Sequence, residues 1–155
     1  MKYRALARFA GMAVLVSLVS ASAPVRPDNS AGSESVTVFK DPNCGCCQQW
    51  VEHLRKHSFN VAVRDTSDVQ GAKKAGRVPE RLHSCHTAFV GGYVVEGHVP
   101  AADIQRLLRE KPKVAGIAVA GMPAGSPGME MGSRKDPYEV VAFNRDGTTR
   151  VFARH

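Results

Sequence analysis

A mixed α/β fold follows from three features of the sequence. A short β-branched run leads through a tight loop into a helical run, a second alternating run follows soon after, and two apolar runs split by Gly91-Gly92 precede an amphipathic stretch. The 155 residues suit one domain with a modest core, and 43% hydrophobic residues is ordinary for a globular chain.

Residues 1–23 are set apart from the rest. Lys2, Arg4 and Arg8 precede the apolar stretch Phe9 to Val19, and Ala21-Ser22-Ala23 offers small residues for cleavage. This is the pattern of a secretory leader, with an apolar core short for a membrane span. Cleavage after Ala21 competes with cleavage after Ala23, because the latter puts Pro24 directly behind the cut, and an uncleaved leader would act as an anchor. Losing three basic and no acidic residues lowers the formal charge from +7 to +4. That mild excess carries no basic cluster with interleaved aromatics, so nucleic acid is not an expected partner. An exported location is expected, with no stable membrane association once the leader is gone. Residues 24–35 have the Pro, Ser, Ala and Gly content of a linker, and the folded domain is expected over 36–155.

Val36 to Phe39 reads as the first strand, and Asp41-Pro42 turns the chain into the cysteines. In the helix that follows, Cys47, Trp50, Val51 and Leu54 recur at i, i+3, i+4 and i+7 and share a buried face. Phe59 to Arg64 alternates with period two, close enough to complete a β-α-β unit. Thr66 to Ala75 is a weaker helix, ended by Gly76 and Pro79. Thr87 to Val90 and Tyr93 to Glu96 form a hairpin about Gly91-Gly92. Pro100 suits a first helical residue, and Ala101, Ile104, Leu107 and Leu108 supply the apolar face of a helix that stops before Pro112. Gly121 to Gly132 has no helix or strand period and reads as a shaped loop. Tyr138 to Phe143 and Thr148 to Ala153, about a turn at Asn144 to Gly147, make a terminal hairpin.

Chemistry concentrates at Cys44-Gly45-Cys46-Cys47, which holds three of the four cysteines. The C-x-x-C pair sets two sulfurs on one first helical turn, where unpaired N–H groups favour thiolate over thiol. Thiolate is both the nucleophile of disulfide exchange and a soft-metal ligand, so the electrostatics alone does not choose between them. Cu(I) suits four cysteines with the thioethers of Met122, Met129 and Met131, and several Cu(I) ions bridged by crowded sulfurs is a further version. Zinc is the weaker candidate, since structural zinc sites usually draw on two spaced knuckles. Two inert disulfides are the structural alternative in an oxidising compartment. A bond inside the triplet closes only a tiny loop, so a bond from Cys85 to the triplet is favoured over it.

His53 and His57, spaced i, i+4, lie at the edge of the buried face and read as solvated surface residues rather than a metal pair. His86, beside Cys85, is balanced between a ligand or proton-carrier role and a hydrogen-bonding one. His83 and His98 are both ambiguous, and for His98 the plainer of the alternatives is that its ring nitrogens fix the turn before the last helix. For each methionine singly, gap-filling in a core is the ordinary role.

The element sequence β-α-β, helix, β-hairpin, helix resembles that of the thioredoxin fold, in which C-x-x-C opens the first helix. The resemblance implies that Cys85-His86-Thr87 faces the dithiol, with His86 where thioredoxins carry a proline. That departure argues against ordinary thioredoxin activity. Cys44-Gly45-Cys46-Cys47, Ser84-Cys85-His86-Thr87, Gly92-Tyr93-Val94-Val95-Glu96-Gly97-His98-Val99-Pro100 and Gly121-Met122-Pro123-Ala124-Gly125-Ser126-Pro127-Gly128-Met129 together resemble the exported CopG-type copper-resistance family, also called domain of unknown function 411. The resemblance implies a periplasmic, thioredoxin-like protein that handles copper, with other periplasmic copper-handling proteins as partners. The expected ligands are Cys44, Cys46, Cys47, Cys85 and His86, with Met122 and Met129 in support. The competing expectation is a thiol-disulfide or copper-coupled oxidoreductase in which Cys44 attacks and Cys47 resolves.

Overall fold

The computed structural model describes residues 34–155. The leader and nearly all of the linker expected at 24–35 lie outside the described residues.

Strand β1 (Ser35–Lys40) runs into helix α1 (Gly45–Lys56), and β2 (Asn60–Asp65) returns parallel to β1. Helix α2 (Val69–Ala75) begins only after Asp68, whose carboxylate accepts the Gly71 N–H and caps it, so the helix is shorter than its composition suggests. A short 3₁₀ turn at Glu80–Leu82 leads to the hairpin β3 (Thr87–Val90) and β4 (Tyr93–Glu96). Gly91 and Gly92 both have positive φ, 54° and 82°, as a two-residue hairpin turn of the type I′ class requires. Helix α3 (Ala101–Glu110) starts one residue later than expected, with Pro100 as its N-cap, and stops at Lys111 in the left-handed region before Pro112.

Among the described residues, seven strands form one sheet in the order β2-β1-β3-β4-β5-β6-β7. Three of them lie beyond α3. Strand β5 (Gly116–Ala118), which three small or apolar residues did not announce, pairs parallel to β4, and the expected terminal hairpin is β6 (Glu139–Phe143) with β7 (Thr149–Arg154). A Cβ at Gly116 would stand 2.1 Å from the Val94 carbonyl oxygen, so only glycine lets β5 approach β4 this closely.

The core holds Val36 and Val38 of β1, Trp50, Val51 and Leu54 of α1, and Ala101, Ile104, Leu107 and Leu108 of α3. The apolar faces read from helical spacing in α1 and α3 are thus the faces buried. Strand β1 pairs antiparallel with β3 in the register Phe39–Thr87. Extending that register carries Cys85 past the end of β1, to the end of the sheet where the chain turns into Cys44. Topology therefore brings the lone cysteine to the triplet from the far side of a hairpin.

Candidate metal centre

Cys44 caps α1, and its sulfur accepts the Cys47 N–H at 3.3 Å. The first turn contains no acidic side chain to offset the positive end of the helix. Cys44 and Cys47 are joined in a disulfide, with Cα atoms 5.3 Å apart, while Cys46 and Cys85 are free thiols. This corrects the pairing expected from loop closure: small loop entropy limits what the bond adds to stability, but C-x-x-C on a first helical turn already has the separation a disulfide needs.

All four cysteines converge, with their sulfurs within 4.8 Å of one another, and Cys44 Sγ is 3.5 Å from Cys46 Sγ. Cys47 is fully buried and the other three are half-buried, so the group has one side closed by core and one side reachable. The crowding has an electrostatic consequence for Cys85. Burial, reinforced by electrostatic repulsion from Cys46, pushes its thiol up to about 11. Alkylation of Cys85 by iodoacetamide in the oxidised protein should keep accelerating about tenfold per pH unit through pH 10; a plateau near pH 9, read by peptide mass spectrometry, would contradict this.

Imidazoles stand against the free thiol. His86 Nδ1 lies 3.3 Å and His98 Nε2 3.0 Å from Cys85 Sγ. His98 Nδ1–H donates to the Pro127 carbonyl at 2.8 Å, which leaves Nε2 with its lone pair toward the sulfur. Burial lowers the His98 pKa, and burial followed by the His98 ring lowers that of His86 well below the ordinary value, so both rings are neutral. His86 packs its ring 4.3 Å from Trp50, centroid to centroid, and its buried Nε2 has no hydrogen-bond partner among the described residues.

His98 is the site residue that the sequence left ambiguous, with a turn-fixing role as the plainer alternative. A signal for it existed: counting outward from Gly91-Gly92, Thr87 pairs with Glu96, and two residues further Cys85 faces His98. His53 is half-buried, and its Nε2 accepts the Ala101 N–H at the start of α3; His57 is exposed and donates from Nδ1 to the His53 carbonyl. His83 contacts the Val78 carbonyl through Nε2. These three hold backbone and stand apart from the cysteine cluster.

The Gly121 to Met131 segment does fold back over the site, and backbone fastens it there. Gly121 N–H donates to the His83 carbonyl, Ser84 Oγ–H donates to the Gly121 carbonyl, and Pro127 holds His98. Met122 is 53% and Met131 73% exposed, so neither fills a core gap, and Met129 is half-buried. Gly128 lies against the first turn of α1 at φ 85°, where a Cβ would meet the Cys46 carbonyl oxygen at 2.7 Å and the Trp50 nitrogen at 2.8 Å. Both obstacles are helix backbone and cannot swing aside. Gly128→Ala should therefore lift the loop from the cysteines and cost about 1–3 kcal/mol, read as a lower urea midpoint; an unchanged midpoint would show that the loop is not seated there.

A sulfur cluster of this kind, at the end of a mixed sheet and under a glycine-rich strap, defines a metal-thiolate protein, and its soft donors fit copper. The family model described as "Protein of unknown function, DUF411" matches residues 82–129, which span Cys85, His86, His98 and most of the Gly121 to Met131 segment. Two solved structures titled "Copper resistance protein copG" are similar: Form 2 at 46% identity and a TM-score of 0.76, covering 79% of this chain and 98% of that one, and Form 1 at 47% identity and 0.74, covering 78% and 96%. The chain belongs to this CopG-type copper-resistance family. No curated protein matches it.

Proposed function

We propose that the protein is a periplasmic copper-binding protein of copper resistance, of thioredoxin-like architecture, which holds Cu(I) through Cys44, Cys46, Cys47 and Cys85. The convergence of these four sulfurs from α1 and from the loop before β3 is the observation that carries the reading. Copper is here cargo to be bound and released. Loading the full set requires an external dithiol to reduce the Cys44–Cys47 disulfide by thiol-disulfide exchange, itself becoming the disulfide, after which metal displaces the thiol protons. The thioredoxin-like reading is supported by strand order β2-β1-β3-β4, in which β1 and β2 are parallel and β3 runs against its neighbours. Periplasmic location rests on the leader pattern of residues 1–23.

Crowded sulfurs with 3.5 Å between Cys44 and Cys46 also suit bridging, so binding of more than one Cu(I) belongs to the proposal. His86 is a nitrogen donor at the edge of the set. Met122 and Met129 would add weak thioether contacts from the strap, and Met122→Ala with Met129→Ala should speed copper loss to a chelator without removing copper binding.

A second reading has its own observation. The Cys44–Cys47 disulfide at a helix N-terminus, with the free Cys46 and Cys85 thiols beside it, suits a thiol-disulfide or copper-coupled oxidoreductase, in which reduced Cys44 attacks and Cys47 resolves. One experiment addresses both: anaerobic Cu(I) titration of the reduced protein against a competing chelator, with metal and free thiols counted in the same sample. At least one tightly held Cu(I), retained in preference to Zn(II), supports the first reading. Equal or stronger zinc retention would overturn it, and absence of copper binding with ready disulfide exchange would favour the second.

A further inference from the structure

We propose that His53 is a proton-responsive positioning residue: as a neutral imidazole it fastens the start of α3 to α1, and on protonation it gives up that bond and turns to Glu130 of the strap. Helix α3 has no cap of its own, because Pro100 at its N-cap brings no side-chain acceptor. The cap comes from α1 instead, where His53 Nε2 accepts the Ala101 N–H at 3.1 Å. An amide N–H only donates, so Nε2 is the unprotonated nitrogen and the neutral ring carries its proton on Nδ1. Trp50 and His57 lie on the same stripe of α1 and add two more bonds across the joint. Trp50 Nε1–H donates to the Val99 carbonyl at 2.8 Å, and the Gln105 amide donates to the His57 carbonyl at 3.3 Å. Of the three bonds, only the one from Ala101 uses a lone pair that a proton can take.

A proton on Nε2 sets donor against donor and puts a full positive charge at the positive end of α3. A better partner is at hand. His53 shares a hollow of about 430 Å³ with Gln49, Glu52 and Lys56 of α1 and with Gly128 and Glu130 of the strap. Glu52 is engaged by Arg55 at 2.7 Å and by the Gln48 amide at 2.8 Å. Glu130 engages only Oε2, which accepts the Gly128 N–H at 2.7 Å, so among the described residues its Oε1 is left to receive an imidazolium. On α3 the one acid of the first turn, Asp103, is paired with His155 at 2.7 Å. Burial, followed by the His57 ring, lowers the His53 pKa, with Glu130 opposing and Lys56 reinforcing the shift. The unfolded chain therefore takes the proton more readily, and the cap's contribution is complete above about pH 6.5 and lost as the pH falls below it. The joint carries the loop from β4 through His98 to α3, so acid regulates the copper centre by loosening that loop, a consequence that rests on the Cu(I) reading.

The test follows the His53 ring and the Ala101 amide together by nuclear magnetic resonance in the oxidised, metal-free protein. The hydrogen-exchange protection factor of Ala101 should fall about fivefold or more as the ring titrates, the size of a lost helix cap, with the two midpoints coinciding. His53→Gln, whose side-chain oxygen accepts at every pH, should hold that protection constant over the same range. Glu130→Gln should move the His53 midpoint to lower pH, since it withdraws the charge that favours the imidazolium. In the reduced protein, lowering the pH from about 7.5 to about 5.5 should speed Cu(I) loss to a chelator about threefold more in the parent than in His53→Gln, because protonation of the thiolates is common to both. Protection that stays flat through the His53 titration, the same fall in His53→Gln, an unmoved midpoint in Glu130→Gln, or equal acid acceleration of copper loss would each overturn the proposal. The first of these is read on the unmutated protein, so it decides even if a variant folds poorly. A reduced protein that took up no Cu(I) would sink the four-thiolate reading by itself, while the Ala101 measurement still decided the role of His53.

Discussion

Reduced Cys85→Ser and reduced Cys44→Ser are each expected to lose most of the bound Cu(I) while keeping the fold. Both arguments begin with what serine does at the site. At position 44 it is a strong helix N-cap, so the Cys47 N–H keeps an acceptor and α1 still starts at Gly45. At position 85 its hydroxyl can still donate to His98 Nε2, as the thiol does, so the loop keeps its anchor. What neither hydroxyl can do is replace a thiolate toward a soft ion. Outer-shell changes cost roughly ten- to a hundredfold in metal affinity, so loss of a thiolate ligand should cost on the order of a hundredfold or more. Copper affinity by chelator competition, with circular dichroism as the fold control, provides the measurement. If both variants kept full copper content, the site would not be shared between α1 and the hairpin, and the convergence of the four sulfurs would be a packing accident.

Legibility in the sequence followed how local the determining physics is. The faces of α1 and α3 were readable because Trp50, Val51 and Leu54, or Ile104, Leu107 and Leu108, recur at helical spacing, and periodicity reports burial directly. The hairpin was readable from Gly91-Gly92, since few dipeptides accept two positive φ angles. Strand β5 was not: its three residues are too few for a period, and it exists because Gly116 fits against the Val94 carbonyl and β6 covers its other edge. Among site residues the triplet announced itself, and Cys85 came from family resemblance. His98 required following the hairpin register two residues beyond its last pair. The Cys44–Cys47 bond was misjudged because an entropy argument about stability was applied to a question of reach. Lys73 lay hidden for another reason: α2 has little apolar stripe, and a lysine there reads as solvated until the tertiary structure supplies Glu96.

Breaking the Lys73–Glu96 pair should destabilise the protein by about 3–5 kcal/mol and loosen the copper site with it. Lys73 Nζ donates to Glu96 Oε1 at 2.6 Å, and the two side chains are 3% and 0% exposed. The same Oε1 accepts the Ser84 N–H at 2.6 Å, while Oε2 accepts the Thr87 hydroxyl at 2.7 Å. One carboxylate on β4 thus fastens α2 and both flanks of the segment that carries Cys85 and His86. Glu96→Ala removes all three bonds and strands a buried ammonium, which is the costly case. Lys73→Met should cost less, because the carboxylate keeps the Ser84 and Thr87 donors. In Lys73→Met with Glu96→Gln no buried charge is left uncompensated, so the double variant should be about 1–3 kcal/mol more stable than the sum of the single effects predicts. Urea denaturation of the oxidised proteins measures the stability terms, and Cu(I) competition on the reduced proteins shows whether losing the Ser84 anchor weakens the site. A loss under about 1 kcal/mol for Glu96→Ala would mean that water reaches the pair and that the Cys85 segment is held by the sheet and His98 alone.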